Sequence, residues 1–364
     1  MADVRYAVIK PFSGGDNPYI EIIKKIMNEN GYTAIPLSKV ICSNYIFKRI
    51  HLSHLNWYEN VRGKNLLTTH YYILKHKMAV LYLKYIRHSK IIITVHNKHS
   101  HDASKKNSSA KLLAWLIKYS DAVIVLCDDT YKYLDNICKS YKVNGCKCFK
   151  IPLPSYSDFY KHSNIDEFVN ISGKRDKNIF EIAYFGSISE YKNVGKLIEL
   201  ADMIKGKAIH ITIAGKSSKD YLDEIKNEVS KRDNISLYSD FIPNDRLWGF
   251  IKGADCIVLP YKNDSMLNSA SVLLALSVGT NVVCSSNGTI NEYPADYTYT
   301  YNYADEKDHT AKLYEQIMRA YSDYSTNKEL YDLKAETIKN IITSQNSYEV
   351  VLDKFNELYK TLER

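Results

Sequence analysis

A buried-strand run that ends in a glycine turn constrains the fold of this chain most. The apolar residues 182–185 precede Gly186, Lys192 follows six residues later, and a helical pattern begins at Val194. The order strand, glycine turn and helix turns backbone N–H groups toward an anion, and a lysine in the first turn adds a positive charge. The pattern predicts a phosphate-binding turn; the alternative is an ordinary strand-to-helix loop with a solvated lysine.

The same alternation continues through the second half of the chain. Further strand runs lie at 209–214, which ends before Gly215, and at 234–238, 254–260 and 281–284, and helical patterns separate the last three. Strands that alternate with helices of this length indicate βαβ units and a parallel sheet, whose ligands bind outside the carboxyl ends of the strands. The second half is therefore predicted to be an α/β domain with a doubly wound parallel sheet.

The first half has a compatible pattern. A strand is predicted at 5–12, and the loop that follows it contains Gly14 and Gly15 before a helix at 20–30. Glycines allow a substrate to approach the backbone closely, although Gly-Gly pairs are also common in turns that bind nothing.

Polar residues follow another strand of the first half. The buried-strand run 91–95 ends before His96 and Asn97, and His101 and Asp102 follow in the loop. Histidine and aspartate at the ligand edge of a parallel sheet can act as a general base, so His96 and Asp102 are the candidate catalytic residues. The alternative for a single histidine at a strand end is a structural role. The histidine spacing lacks the second ligand group of a closed zinc site, so no metal site is predicted.

The segment 183–293 resembles the nucleotide-sugar-binding domain of GT-B fold glycosyltransferases, the broad glycosyltransferase family 4 and its relatives. Gly186 and Lys192 match the family's glycine and lysine for the donor diphosphate, and Ala214 and Gly215 match its AG signature. Its AD plus VLP strand is matched by Ala254, Asp255 and 258–260, and its small-residue helix with a glycine end by Ala275 and Gly279. Ser187 stands where an arginine is usual in the family.

One departure from the family pattern concerns two glutamates, eight positions apart, that contact the donor sugar and ribose in many members. Met266 and Leu274 occupy those places here. The loop instead contains Asn268, Ser269 and Ser271, whose side chains suit a helix N-terminus that faces a diphosphate. This loop resembles a subset of bacterial exopolysaccharide and capsule transferases. The alternative is that Asn268 and Ser269 only cap a helix.

The resemblance implies a GT-B architecture, in which two Rossmann-like doubly wound domains face each other across a cleft and a C-terminal helix crosses back to the first domain. On this interpretation residues 1–160 form the acceptor-side domain, 161–176 a linker, 177–340 the nucleotide-sugar-binding domain and 341–364 the crossing helix. The length of 364 residues suits two domains.

The resemblance also implies roles for particular residues. In the family, a histidine at the strand end matched by His96 contacts the sugar or the acceptor. The residues expected on the side of the sugar donor are Gly14, Gly15, Gly186, Ser187, Lys192, Gly215, Tyr238, Ile242, Asn268, Ser269 and Ser271. Those expected on the acceptor side are His51, Asn97 and His101. We expect no cofactor, and no metal is required where helix N-termini and a lysine stabilise the leaving diphosphate.

Charge is unevenly distributed along the chain. The net charge is +8, and residues 1–160 carry 24 Lys and Arg against 11 Asp and Glu. A predicted helix at 70–88 mixes basic residues with aromatic and aliphatic ones, which suits an anionic membrane surface; the alternative is a solvated helix whose apolar face lies in the core. No nucleic-acid recognition motif accompanies the charge, so nucleic acid is not an expected partner.

Several patterns bear on location. No secretion signal stands out, no stretch approaches the ~20 apolar residues needed to span a bilayer, and the seven cysteines are odd in number and scattered. We therefore expect a cytoplasmic protein, either soluble or peripheral at the inner face of the plasma membrane.

The sequence predicts a metal-independent hexosyltransferase that moves a sugar from a nucleotide-diphosphate donor to a hydroxyl of a lipid-linked glycan. Its predicted role is in bacterial capsule or exopolysaccharide synthesis. A GT-B nucleotide-sugar epimerase is one alternative. A catalytically silent partner that only binds the sugar nucleotide or glycan is another, and the missing glutamates allow it. If neither His96 nor Asp102 is the base, Asp16 and Glu59 are the next candidates.

Overall fold

A computed structural model of the chain describes residues 4–15, 17–42, 44–61, 63, 65–98, 106–138, 147–156, 159–160, 163–173, 176, 178–262 and 266–363. Asp16, His101 and Asp102 lie outside these residues. The chain divides into two compact units. Of the described residues, unit 1 contains those up to 154 together with 266–268 and 348–363, and unit 2 contains the others.

Unit 1 is built on a six-stranded sheet in the order β2-β1-β3-β4-β5-β6, in which every neighbouring pair is parallel. The strands are β1 (Arg5–Lys10), β2 (Tyr32–Pro36), β3 (Ile50–Asn56), β4 (Lys90–Val95), β5 (Ala122–Val125) and β6 (Lys147–Lys150). Its helices up to β6 are α1 (Tyr19–Glu29), α2 (Leu37–Cys42), α3 (Leu66–Leu81), α4 (Lys106–Tyr119) and α5 (Asp128–Ile137). A short 3₁₀ helix (Asn44–Phe47) follows α2, and a π-helical segment (Tyr82–Ile86) continues α3.

Unit 2 has a second six-stranded sheet in the order β12-β11-β10-β7-β8-β9, again with parallel pairs throughout. The strands are β7 (Phe180–Phe185), β8 (Ile209–Ala214), β9 (Ile235–Tyr238), β10 (Cys256–Leu259), β11 (Asn281–Ser285) and β12 (Tyr299–Tyr301). The helices are α6 (Asp166–Ser172), α7 (Gly195–Met203), α8 (Lys219–Val229), α9 (Asn244–Gly253), α10 (Ala270–Val278), α11 (Glu306–Thr326) and α12 (Lys328–Gln345). Short 3₁₀ helices lie at Glu190–Lys192, Ile290–Glu292 and Ala295–Tyr297.

The central strands of both sheets are largely buried because helices cover both faces of a parallel sheet. All residues of β7, β8 and β10 are buried, as are those of β4 after its first residue. The predicted α/β class with two doubly wound parallel sheets is confirmed. No helix within the described ranges is long and apolar enough to cross a membrane.

The segment 161–176, predicted as a linker, contains helix α6 of unit 2. The Phe168 ring lies 5.4 Å from the Phe250 ring of α9, and Arg246 Nε lies 2.5 Å from a Glu167 carboxylate oxygen. Gly253 permits this packing, since a Cβ there would lie 2.3 Å from the Phe168 Cβ. The polar composition concealed a helix that buries only a narrow apolar face.

The last helix, α13 (Tyr348–Glu363), belongs to unit 1. Phe355 lies 5.9 Å from the His54 ring of β3, and Tyr359 lies 5.5 Å from the Tyr32 ring of β2, measured between ring centroids. The return of the C-terminal helix to the first domain, which the resemblance implied, is therefore confirmed. The helix begins at Tyr348 rather than at 341, because α12 continues to Gln345.

Truncation of Phe355 tests how far unit 1 depends on α13. Phe355 is 1% exposed, so Phe355→Ala should lower the free energy of unfolding of unit 1 by about 3–5 kcal/mol through lost burial and a cavity. Hydrogen exchange followed by mass spectrometry should become faster in β1 and β3 and stay unchanged in β7 and β8. Asp353→Ala, on the exposed face of the same helix, is the control. Unchanged exchange in β3 of the Phe355 variant would contradict this dependence.

Candidate functional site

Two glycines bring the carboxyl ends of β7 and β8 into close contact. The Gly186 N–H donates to the Ala214 carbonyl at 3.1 Å, and the Gly215 N–H donates to the Tyr238 carbonyl of β9 at 3.0 Å. A Cβ on Gly215 would lie 1.7 Å from the Gly186 carbonyl oxygen. Gly186 also has a φ of +123°, a conformation that favours glycine. Gly186 and Gly215, two of the predicted donor-side glycines, therefore join three neighbouring strand ends.

Lys192 ends the short 3₁₀ helix that follows this turn. Its Nζ lies 4.2 Å from the ring centroid of Tyr261 and 5.4 Å from that of Tyr191. Burial lowers the pKa of Lys192. Among the described residues, no side chain forms an ion pair or hydrogen bond with its ammonium. A desolvated cation without a carboxylate partner favours an anionic ligand.

Tyr261, which the sequence analysis missed, connects Lys192 to the start of α10. It follows β10, and its buried hydroxyl accepts a hydrogen bond from Ser269 Oγ at 3.4 Å and another from Ser271. Burial raises the pKa of Tyr261 to about 12, so the ring beneath the lysine is uncharged at neutral pH. The only signal in the sequence was the position of this tyrosine directly after a predicted strand.

The residues of the LNSAS loop have separate roles. Ser269 caps α10: its Oγ accepts from the Val272 N–H at 3.2 Å, and its own N–H donates to Thr289 Oγ1 at 2.8 Å. Asn268 belongs to unit 1, where its Nδ2 donates to the His96 carbonyl at 2.9 Å. The capping alternative thus describes Ser269, whereas Asn268 fixes the residue at the end of β4.

The other predicted donor-side residues lie at carboxyl ends of strands or in the loops after them. Ser187 is exposed, with its Oγ 3.2 Å from Ser189 Oγ. Tyr238 ends β9, and Ile242 is buried in the following loop. In unit 1, Gly14 and Gly15 lie after β1.

The turn at Gly14 and Gly15 is compact. The Asn17 N–H donates to the Gly14 carbonyl at 3.2 Å, and Gly15 has a φ of +61°. A Cβ on Gly14 would lie 2.3 Å from the Asn17 carbonyl oxygen, so the turn itself requires glycine there.

His96 is held in an aromatic environment at the carboxyl end of β4. Its ring stacks on Trp57 at 3.8 Å and meets the edge of Tyr19 at 5.0 Å, and its Nε2 lies 3.1 Å from Asn56 Oδ1. Because an amide oxygen only accepts, this bond puts the proton on Nε2 and leaves Nδ1 as the acceptor. Burial first, and the nearby His54 second, lower the pKa of His96 well below its usual range, so the imidazole is neutral.

Of the predicted acceptor-side residues, Asn97 adjoins His96 and is buried. His51 is the second residue of β3, at the amino edge of the sheet, with its ring 6.4 Å from that of Tyr32. The structure therefore separates His51 from His96 by the length of a strand. His101 and the candidate base Asp102 lie outside the described residues.

Glu59, a secondary candidate for the base, follows β3 and is only 2% exposed. Neither carboxyl oxygen has a hydrogen-bond partner in another described residue. Burial raises the pKa of Glu59 from 4.5 to about 7. A carboxyl group that titrates near neutrality is suited to general acid–base catalysis.

Metal ligands and pockets complete the description of the two units. No group of three His, Cys, Asp or Glu side chains within the described ranges is arranged to hold a metal ion. A surface pocket of unit 2 is lined by Asp255 and Asn281, which precede β10 and begin β11. It therefore lies at the amino edge of the sheet, opposite the edge that carries Lys192.

In its fold the chain is similar to several solved structures. HepE of Anabaena in complex with UDP is 12% identical, with a TM-score of 0.70 over 98% of this chain and 100% of HepE. Sucrose-phosphate synthase of Thermosynechococcus elongatus is 13% identical, with a TM-score of 0.74 over 98% of each chain. UDP-forming α,α-trehalose-phosphate synthase of Burkholderia vietnamiensis is 10% identical, with a TM-score of 0.67 over 98% of this chain and 100% of the synthase. The chain therefore has the α/β architecture of the GT-B glycosyltransferases.

Residues 164–337 match the family described as Glycosyl transferases group 1. This match includes the segment 183–293, so the resemblance stated for that segment is confirmed. None of the curated protein sequences matches the chain.

Titration of Glu59 should be visible in the stability of the protein. Because its pKa in the folded state lies above the ordinary value of 4.5, its contribution to stability is complete below pH 4.5 and is lost as the pH rises through about 7. The free energy of unfolding should fall over that interval by up to about 1.4 kcal/mol per pH unit. Denaturant unfolding at several pH values should show this decline in the wild type and not in Glu59→Gln. Parallel pH profiles of the two proteins would contradict the burial of an ionisable carboxyl group.

Proposed function

We propose that the chain is a glycosyltransferase that moves a hexose-type sugar from a nucleotide-diphosphate donor to a hydroxyl of a glycan. One observation carries the proposal: the Lys192 ammonium has no carboxylate partner among the described residues and follows a glycine turn at the carboxyl edge of a parallel sheet. Phosphate is the anion that such a turn suits. HepE has been solved with UDP and with UDP-glucose, which makes UDP sugars the first donors to test.

The proposed chemistry is displacement of the diphosphate at the anomeric carbon of the sugar. Negative charge develops on the leaving group, and Lys192 and the first turn of α10 can stabilise it. Ser271, which hydrogen-bonds to Tyr261, lies in that first turn. These groups supply positive potential without a divalent ion, so we propose metal-independent catalysis.

A panel of nucleotide sugars, with a glycan acceptor and with excess EDTA, tests the function. Transfer with release of nucleoside diphosphate supports the proposal. Interconversion of sugar nucleotides without release would identify an epimerase, and binding without turnover would identify a silent binding partner. Activity that disappears with EDTA and returns with Mg²⁺ or Mn²⁺ would contradict metal independence.

We also propose where the reaction takes place. The LNSAS loop, which resembles that of exopolysaccharide and capsule transferases, supports a role in bacterial surface polysaccharide synthesis. The basic character of residues 1–160 supports a lipid-linked acceptor at the inner face of the plasma membrane, and hence a cytoplasmic protein.

Lys192→Ala tests the assignment of the diphosphate. Loss of one charge-assisted contact, worth roughly 1.5–3 kcal/mol, should weaken binding of the sugar donor about 10- to 100-fold without a change in melting temperature. Lys226→Ala, an exposed lysine in the last turn of α8, is the matched control. Isothermal titration calorimetry measures both. Equal affinity of the Lys192 variant and the wild type would remove Lys192 from the site.

Activation of the acceptor is proposed to come from unit 1. His96→Ala, Asp102→Asn and Glu59→Gln should leave the affinity for nucleoside diphosphate unchanged, and the variant that lacks the general base should lose about 10²-fold or more in kcat. The neutral His96 offers Nδ1 as a proton acceptor, and Glu59 offers a carboxyl group with a pKa of about 7. Near-normal turnover in all three variants, or a loss confined to nucleotide affinity, would contradict the proposal.

A further inference from the structure

Helix α3 and its π-helical continuation are apolar on two faces. One face packs against the core of unit 1 through Val80, Leu83 and their neighbours. The opposite face carries four large side chains that are 57–82% exposed: Leu67, Tyr71, Leu74 and Met78. Their spacings of four, three and four residues place them within an arc of roughly 60° on the helix surface.

This apolar surface continues beyond α3. Tyr85 and Ile86, in the π-helical segment, are 56% and 65% exposed, and Phe47 is 94% exposed. Arg87 donates hydrogen bonds to the carbonyl oxygens of Tyr45, at 3.0 Å, and of Lys48, which fixes the loop that bears Phe47 beside the end of the helix. We refer to the exposed residues Leu67, Tyr71, Leu74, Met78, Tyr85 and Ile86 as the apolar stripe.

A stripe of this kind needs a partner. Soluble monomers rarely expose large contiguous apolar patches, whereas single exposed apolar residues are common. The sequence-based alternative, an apolar face that lies in the core, accounts for only one of the two apolar faces of α3.

The charge around the stripe selects the partner. The sequence contains no acidic residue from Asn60 to His101. Lys75 is exposed on α3 beside the stripe, and Lys48 and Arg49 are exposed next to Phe47. Each such cation near an anionic lipid surface adds electrostatic attraction. An apolar stripe bordered by cations matches the interface of an anionic bilayer.

A second copy of the chain matches the stripe less well. A symmetric dimer through α3 would bring Lys75 of one copy toward the same cationic border of the other, with no acidic side chain on either helix to compensate. Like charges opposed at an interface are unfavourable.

We propose that the apolar stripe docks on an anionic lipid bilayer, with α3 lying in the plane of the headgroups. The inference deepens the proposed action on a lipid-linked acceptor and rests on it for its biological role. Vesicle binding itself needs neither sugar donor nor acceptor, so the two proposals can fail separately.

Co-sedimentation with vesicles tests the docking surface. The full chain should bind vesicles of phosphatidylcholine with one third phosphatidylglycerol at least tenfold more tightly than vesicles of phosphatidylcholine alone. The triple variant Leu67→Ser, Leu74→Ser, Met78→Ser should lose at least tenfold in binding, and Lys75→Gln should lose a smaller factor. Leu330→Ser with Leu333→Ser, two exposed leucines of α12, is the matched control and should bind like the wild type.

A fluorescent variant gives a readout that does not depend on removing the stripe. Leu74→Trp should show emission that shifts to the blue and is quenched by brominated lipid, beyond the change seen in the wild type. Every serine variant must show normal circular dichroism, so that a loss of vesicle binding reflects the stripe and not unfolding.

Three results would overturn the inference. The first is that the folded wild type does not bind anionic vesicles, and the second is that the triple variant binds them as tightly as the wild type. The third is that the wild type forms a dimer in solution and the triple variant does not. Failure of the nucleotide-sugar panel, in contrast, would leave the vesicle results unchanged.

Discussion

The parallel pairing of every strand in both sheets is the constraint on which the site depends. Parallel strands have all their carboxyl ends at one edge, so loops that are far apart in sequence meet there. In unit 2 the ends of β7 and β8 approach so closely that a Cβ on Gly215 would lie 1.7 Å from the Gly186 carbonyl oxygen. That turn leads into the short helix of Lys192, whose ammonium lies over the ring of Tyr261 at the end of β10.

Burial sets the charge of the key groups in the two units differently. In unit 2, Lys192 is a desolvated cation on an aromatic ring, and the described residues give it no carboxylate. In unit 1, burial keeps His96 neutral and raises the pKa of Glu59 to about 7. A cation is what a leaving diphosphate requires, and a neutral histidine or a carboxyl group that titrates near neutrality is what an acceptor hydroxyl requires.

The sequence predicted the parts of the fold whose signals are local and repeated. Apolar runs predicted the strands β7, β8, β10 and β11, and the glycine after the first of them predicted the turn at Gly186. The resemblance implied the return of the last helix. The sequence could not predict the helix α6, which buries a narrow apolar face in a polar stretch. Tyr261 was missed, and Glu59 was named only as a secondary candidate. A tyrosine after a strand and a glutamate in a turn reveal their burial only when distant segments pack around them. Periodicity likewise indicated α3 without telling which of its apolar faces is covered.

Hydrogen–deuterium exchange of the whole chain, with and without a saturating concentration of the nucleoside diphosphate that the donor panel identifies, tests the central claim most directly. We expect slower exchange on binding in residues 186–192 and in the first turn of α10, since ligand contacts and reduced local opening both protect amides. Exchange at the ends of β3 and β4 should change little. Bound nucleotide that leaves 186–192 unprotected, or that protects only residues of unit 1, would contradict the placement of the diphosphate at the glycine turn.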